Sequence, residues 1–311
     1  MLAVHCGIGR HLPGIDKLCS QAVKERDTVK AVMCLESDPR TNCGIGSSLT
    51  EDGQVECEGA YMQSENMLFG AVGALSNSKH PSLLSKKLVE STNNDNLIWP
   101  MVLVGKGAGE FAVKMDVPTC SQSELISDSG EVARKKAKLQ LEQFDTVGAL
   151  RISETGECEA SISSGGILLK KRGRLGHSTV FGAGIWAEQR KDIDMSVCMT
   201  LSGCGECIMK THMAEKIAND LFNNPEAISI QTIESSVQRN FVESPLLAAY
   251  SEPVKKLGGL VGVRKDGLFE LVAFHNSHAL PLAYSSGPTT KRRTLQGSDK
   301  HFVYEAFTIN T

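Results

Sequence analysis

Gln143-Phe144-Asp145-Thr146-Val147-Gly148-Ala149-Leu150-Arg151-Ile152 is the stretch on which the reading of this chain turns. Val147 to Ile152 has the pattern of a buried strand, and Thr146 opens it. The residues before it are of another kind. From Ser121 to about Phe144, Ser, Gln, Glu and Asp give way to Arg134-Lys135-Lys136-Ala137-Lys138, with no sheet-like pattern. A structureless connection of that length inside a compact domain signals function or disorder. The expectation is an exposed linker over 121–145, with a frayed helix near Val132 to Leu141. A polar, cleavable linker that stops at such a threonine has a chemical meaning. Were the Asp145–Thr146 bond cut, Thr146 would carry a free α-amino group beside its own hydroxyl. An α-amine has a pKa of ~7.7–8.0 and serves as general base near neutrality. Thr146 would then be an activated nucleophile that needs no histidine partner.

The rest of the composition bounds the setting. The 311 residues carry 33 Lys and Arg against 36 Asp and Glu, a formal net charge of −3, with 41% hydrophobic and 22% charged residues. That is ordinary globular composition, with ample material for a buried core in one large or two small domains. The near-neutral balance excludes a wholesale basic footprint, so no direct nucleic-acid partner is expected. No apolar run approaches the roughly 18 residues of a membrane span. Met1-Leu2-Ala3-Val4-His5-Cys6-Gly7 lacks the basic and apolar regions of a secretory leader. The 10 cysteines are therefore expected to be reduced thiols of an intracellular protein.

Around the central stretch, hairpins alternate with helices. A helical region over Asp16 to Leu35 precedes a turn at Asp52-Gly53 and a strand from Val55 to Met62. Leu68 to Leu75 reads as a strand, Pro81 to Leu88 as a helix with Pro in its first turn, and Met101 to Val104 as a short strand. After Thr146, Cys158 to Ser163 pairs with Val147 to Ile152 across Glu154-Thr155-Gly156-Glu157. Met195 to Leu201 then leads into helices over Glu206 to Phe222 and Pro225 to Phe241. Leu260 to Val263 and Leu268 to Phe274 make a hairpin around Lys265-Asp266-Gly267. The class is mixed α/β, built on antiparallel hairpins.

Three motifs have simpler readings than their chemistry suggests. Gly105-Lys106-Gly107-Ala108-Gly109 lacks dinucleotide-loop spacing and reads as a strand-to-helix turn. Cys204-Gly205-Glu206-Cys207 has no second pair to complete a zinc site, so two buried thiols at a helix start are expected. His275 and His278, in a strand-like segment, would point to opposite faces and bind no metal. The basic cluster Arg134, Lys135, Lys136, Lys138 reads either as a solvated charge run or as a nuclear-import signal.

Other motifs fall in order around Thr146. Thr41-Asn42-Cys43-Gly44-Ile45-Gly46-Ser47 lies upstream. Ser163-Ser164-Gly165-Gly166, Gly173-Arg174-Leu175-Gly176-His177 and Ser202-Gly203-Cys204-Gly205-Glu206 follow downstream. Together they resemble the type 2 asparaginase family of N-terminal-nucleophile hydrolases, and most closely its threonine-aspartase (taspase) branch, over nearly the whole chain. The resemblance implies a four-layer αββα sandwich with mostly antiparallel sheets. It also implies a precursor cut after Asp145 into an alpha subunit, 1–145, and a beta subunit, 146–311, that together make one domain.

Carried over by position, the resemblance makes Thr146 the nucleophile and Ser164 the hydroxyl that hydrogen-bonds it. Asn42 becomes a donor near the oxyanion, with Ser202 and Gly203 forming the loop beside it. Arg174 becomes the clamp on a substrate carboxylate, and Gly205 lines the pocket. A planar guanidinium suits that bidentate capture. Asparaginases have an aspartate three residues after the clamping arginine, which holds a free α-ammonium; here that position is His177, which supplies no permanent negative charge. Glu58-Gly59 stands where the family has Asp-Ala, and the helical region before Asn42 is shorter than the family's.

The expected activity is therefore threonine-type endopeptidase cleavage after aspartate, without metal or organic cofactor. Gln143-Phe144-Asp145 is similar to the glutamine–apolar–aspartate preference of taspases. By resemblance, the partners are nuclear transcription regulators as substrates and a second cleaved protomer in a homodimer, with no membrane, in nucleus and cytoplasm. The alternatives are an L-asparaginase or isoaspartyl peptidase on small substrates, and an inactive, uncleaved homologue.

Overall fold

The computed structural model describes residues 1–91, 98–128, 130–132 and 145–309. The basic cluster, Gln143-Phe144 and most of the frayed helix expected near 132–141 lie outside the described residues. In chain order the elements begin with β1 (Leu2–His5), α1 (Ile15–Ala22), α2 (Thr28–Glu36), β2 (Cys57–Gln63), β3 (Phe69–Leu75) and α3 (Pro81–Glu90). β4 (Val102–Val104), α4 (Gly105–Lys114) and α5 (Gln122–Leu125) complete the part before Thr146. After it come β5 (Val147–Ile152), β6 (Cys158–Ser164), β7 (Ile185–Arg190), β8 (Met195–Gly203) and the helices α6 (Gly205–Thr211), α7 (Met213–Asn223) and α8 (Ser229–Val237). Strands β9 (Leu257–Lys265), β10 (Leu268–His275), β11 (Ala279–Ser286), β12 (Thr289–Gln296) and β13 (Val303–Ile309) close the fold.

Among the described residues the strands form an 8-stranded sheet, ordered β12-β11-β1-β5-β6-β2-β3-β4, and a 5-stranded sheet, ordered β13-β10-β9-β8-β7. Pairing is antiparallel except between β3 and β4. β5 and β6 of the first sheet pack on β8 of the second, while α1, α2 and α3 cover the outer face of the first. α7 packs on β7 and β8, and α8 on β13, which makes the fourth layer. The expected αββα sandwich is what the chain forms.

Burial explains the strand sequences. All nine residues of β8 are buried, the continuous pattern of a strand covered on both faces rather than an alternating one. The inter-sheet core includes Leu150, Ile152, Ile162, Val197, Met199, Leu201 and Val261. Fully burying such side chains contributes about 1.5–3 kcal/mol each. β12 at the sheet's rim is the opposite case. Lys291, Arg292 and Arg293 are exposed there, and charge on an edge strand blunts pairing with other chains. Helix starts follow local chemistry: the Asp27 side chain caps α2 by accepting from the Lys30 N–H at 2.8 Å, and Pro81 occupies the first turn of α3.

Four expectations change. α4 begins at Gly105 itself, so the glycine run lies inside the helix's first turns and is not a turn before it. The helix expected over Glu206 to Phe222 is two helices, because His212 adopts a left-handed conformation, φ 47°, between α6 and α7. β10 ends at His275, so His278 lies beyond the strand and the opposite-face argument does not apply. The linker begins later than Ser121: a Ser121–Glu124 capping box starts α5, and Leu125 is buried against Leu49, Val55 and Cys57. Cys204 and Cys207 are buried at the start of α6, as read.

Candidate active site

Thr146 sits at the head of β5, the strand flanked by β1 and β6 in the larger sheet. The register pairs Val147 with Ser163, which brings Thr146 beside Ser164. The Thr146 hydroxyl donates to Ser164 Oγ at 3.2 Å, and the Gly166 N–H donates to the same oxygen at 2.9 Å. Ser164 is thus fixed between backbone and the Thr146 hydroxyl. From the other side, the chain leaving β1 presses on the bond before Thr146. A Cβ on Gly7 would lie 2.5 Å from Asp145 Cα and 2.7 Å from its carbonyl carbon, and Gly7 has φ +87°. Only glycine satisfies both the conformation and the approach. Behind it His5 is fully buried: its Nδ1 accepts from the Gly7 N–H and its Nε2 meets Thr200 Oγ1. Burial lowers the His5 pKa to about 3, so the ring is a neutral brace.

Asp145 is 8% exposed and Thr146 is 4% exposed. Asp145 Oδ1 finds no hydrogen-bond partner among the described residues. Burial pushes the Asp145 carboxyl well above the usual carboxylate range. With Glu58, Thr146, Ser164, Arg174 and His177, Asp145 lines a cavity of about 10 Å³. That is the room of one water molecule; on its other side Asp145 borders a larger pocket of about 340 Å³, which Thr41, Asn42 and Ser48 also line.

The far wall is charged. Arg174 makes a two-pronged contact with Glu206: Nε donates to Oε1 and Nη2 to Oε2, each at 2.8 Å. Burial works against the charge of Glu206, and the pairing with Arg174 outweighs it, leaving the carboxyl below its usual range. Glu58, from β2, holds the following backbone. Its Oε2 accepts from the Gly176 N–H at 2.6 Å and its Oε1 from Ser178 Oγ at 2.8 Å. Lys170 is buried too, donating to the carbonyls of Gly165, at 2.9 Å, and of Glu56. His177 turns its Nε2 to the Leu201 carbonyl at 3.0 Å, and burial lowers its pKa. It faces the cavity as a neutral ring.

Asp145, Thr146, Ser164, Arg174, His177, Gly203 and Gly205 therefore line one cavity. Asn42 and Ser202 do not. Asn42 Nδ2 donates to Gly166 O at 2.7 Å, and its Oδ1 accepts from the Ser48 N–H at 2.8 Å. Its amide braces the loop after Ser164, and it shares the neighbouring pocket with Asp145. Ser202 is buried within β8 with the Ile8 N–H 3.4 Å from its Oγ. Sequence reasoning missed what Glu58 and Glu206 do. Glu206 was visible only as part of a glycine motif, and Glu58 only as a departure from a family pattern. Among the described residues, no group of three or more His, Cys, Asp or Glu gathers as a metal site, and no helix is long and apolar enough to cross a membrane.

Two stacked, largely antiparallel sheets between helices, with a threonine heading a central strand beside a serine hydroxyl, are the architecture of an N-terminal-nucleophile hydrolase. The sequence comparisons agree. The family profile described as asparaginase, the type 2 form, matches residues 14–293. The chain belongs to the type 2 asparaginase family. It is 31% identical over 261 residues to the isoaspartyl peptidase/L-asparaginase of Macaca fascicularis, covering 81% of this chain and 77% of that protein. The Homo sapiens protein of the same name gives the same identity and coverage. The plant-type L-asparaginase of Pyrococcus furiosus is 31% identical over 209 residues, covering 61% of this chain and 64% of that protein.

Proposed function

We propose that this hydrolase cleaves itself between Asp145 and Thr146 and then acts as a threonine endopeptidase on the carboxyl side of aspartate. In self-cleavage, Thr146 Oγ attacks the Asp145 carbonyl carbon while its proton passes to the departing amide nitrogen. An ester then links Asp145 to the threonine side chain, and the α-amine is free. Water hydrolyses the ester, releasing the Asp145 α-carboxylate and returning the hydroxyl. In the mature enzyme that amine takes the hydroxyl proton as Thr146 attacks a substrate amide. The leaving amine is protonated, and water cleaves the acyl-enzyme.

The observation that carries the choice of substrate is the neutral, buried ring of His177. An aspartyl peptide bond and the side-chain amide of asparagine present the same carbon skeleton, with a carboxylate two carbons from the reacting carbonyl. They differ in where nitrogen stands. Free asparagine places an ammonium on the carbon next to the carboxylate that Arg174 would clamp, and needs an anion there. An aspartyl peptide places an uncharged amide next to the reacting carbonyl and needs none. A neutral histidine suits the second.

One observation favours a second reading, an isoaspartyl peptidase or L-asparaginase. Glu58 brings a carboxylate to the same cavity from β2, and the similar proteins above bear that name. The substrates as nuclear regulators, the homodimer and the nuclear and cytoplasmic setting belong to the first reading, supported by resemblance alone. The test is intact mass and N-terminal sequencing of purified protein, followed by kcat/KM for a Gln-Phe-Asp-Gly peptide, its Asn counterpart and free L-asparagine. The expected order is Asp peptide first. Fastest turnover of L-asparagine installs the second reading, and a single uncleaved, inactive chain removes both.

A further inference from the structure

Arg174 presents a guanidinium with two edges that can take a carboxylate side by side, Nε with one terminal nitrogen and the two terminal nitrogens together. Glu206 fills the first of these, through Nε and Nη2. The group also lies in a slot between two backbones. A Cβ on Gly166 would stand 3.1 Å from Arg174 Nη1, and one on Gly205 would stand 3.1 Å from Nη2. Gly166 follows the Ser164 loop, and Gly205 opens α6 directly before Glu206. Both glycines line the cavity that holds Thr146. The terminal nitrogens therefore lie on the side of the nucleophile, and the Nε edge is turned to Glu206.

We propose that Glu206 is a positioning residue for substrate recognition: by occupying the Nε/Nη2 edge it presets Arg174 so that a substrate carboxylate is received on the Nη1/Nη2 edge, facing Thr146. Three features of the site agree. The Glu206 side chain is 38% exposed while that of Arg174 is 13% exposed, so Glu206 approaches from the solvent side. Glu58 accepts from the Gly176 N–H and the Ser178 hydroxyl, so the loop that carries Arg174 is pinned at a second point. A preset fork also loses less side-chain freedom when it binds than a free one. The role is one of orientation. Glu206 touches neither the nucleophile nor a reacting atom.

This inference rests on the proposed chemistry at Thr146 and on a substrate carboxylate, which both readings of the substrate supply. The experiment compares wild type, Glu206→Gln and Glu206→Asp for self-cleavage, thermal midpoint, and kcat and KM on whichever substrate wild type prefers. Glu206→Gln is expected to mature like wild type, because Thr146 and Ser164 keep their contacts. Its KM should rise about tenfold, the size of one charge-assisted contact set loose, with kcat within about threefold. Glu206→Asp should recover part of the KM loss. A fall in KM would make Glu206 a competitor for Arg174 and overturn the inference, as would a wild-type KM. A loss of maturation, or of kcat in step with a lowered midpoint, would make its role structural and overturn it too. Failure of wild type to mature or turn over any of the substrates marks failure of the underlying reading instead.

Discussion

The two walls of the cavity are built by opposite means. The wall at Asp145–Thr146 is made of backbone and neutral groups: Gly7 against the Asp145 carbonyl, the Ser164 hydroxyl, and an Asp145 carboxyl whose pKa burial raises. The wall at Arg174 is made of fixed charge, with Glu206 on the guanidinium and Glu58 on the loop behind it. The contrast matches two tasks. Bond breaking needs reacting atoms held close with water excluded, and stray charge in a dry site is costly. Recognition of a carboxylate needs a cation held in one orientation, which the two-pronged contact with Glu206 provides.

If the walls are separable, each can be broken without the other. The largest effect is expected from Thr146→Ala: with no hydroxyl to attack Asp145, the chain should remain a single species by mass and show no hydrolysis. Gly7→Ala comes next. Its methyl would collide with Asp145 backbone, and strain of this kind costs about 1–3 kcal/mol. Maturation should slow at least about tenfold on a denaturing gel, with a lower thermal midpoint. Arg174→Lys tests the other wall. Maturation should proceed, while kcat/KM on a carboxylate-bearing substrate falls at least about tenfold, because a point charge cannot replace the fork. Failure of Arg174→Lys to mature would show that the walls act as one.

The smallest effect sharpens the contrast through pH. Burial raises the Asp145 carboxyl above its ordinary 3.8. The folded, uncut chain therefore keeps a proton that the unfolded chain releases. The stability that this proton contributes is present below pH 3.8 and is lost as pH rises from there towards the raised folded value. In a Thr146→Ala background, Asp145→Asn removes the titrating group. Its midpoint should exceed that of the parent near neutrality and converge with it towards pH 4. A pH-independent difference between the two would mean that Asp145 is ionised in the precursor.

The parts of this arrangement that could be read in the sequence are those with local signatures. The Asp145-Thr146 junction announces itself by a change of composition within a few residues, and the hairpin strands by apolar runs between turn residues. Arg174, Ser164 and Gly205 sit in short glycine motifs whose order along the chain carries a family likeness. What escaped reading depends on contacts across the fold. Glu58 meets Gly176 across 118 positions, and Arg174 meets Glu206 across 32. Nothing in the periodicity of either segment marks an acidic residue as a partner rather than a surface charge. Asn42 is another such case: its motif suggested a donor near the oxyanion, and only the paired contacts to Gly166 and Ser48 reveal that both ends of its amide are engaged. The break at His212 escaped because one residue's left-handed backbone leaves the apolar spacing on either side intact.

The enclosure of Asp145 and Thr146 has a kinetic consequence. Both residues are almost fully buried, and the proposed attack of Thr146 on its own preceding carbonyl needs no second chain. If the chain cleaves itself as proposed, conversion is a clock carried by each chain. Its half-life should be the same in dilute and concentrated solution, and mature enzyme added to a Thr146→Ala precursor should leave that chain whole.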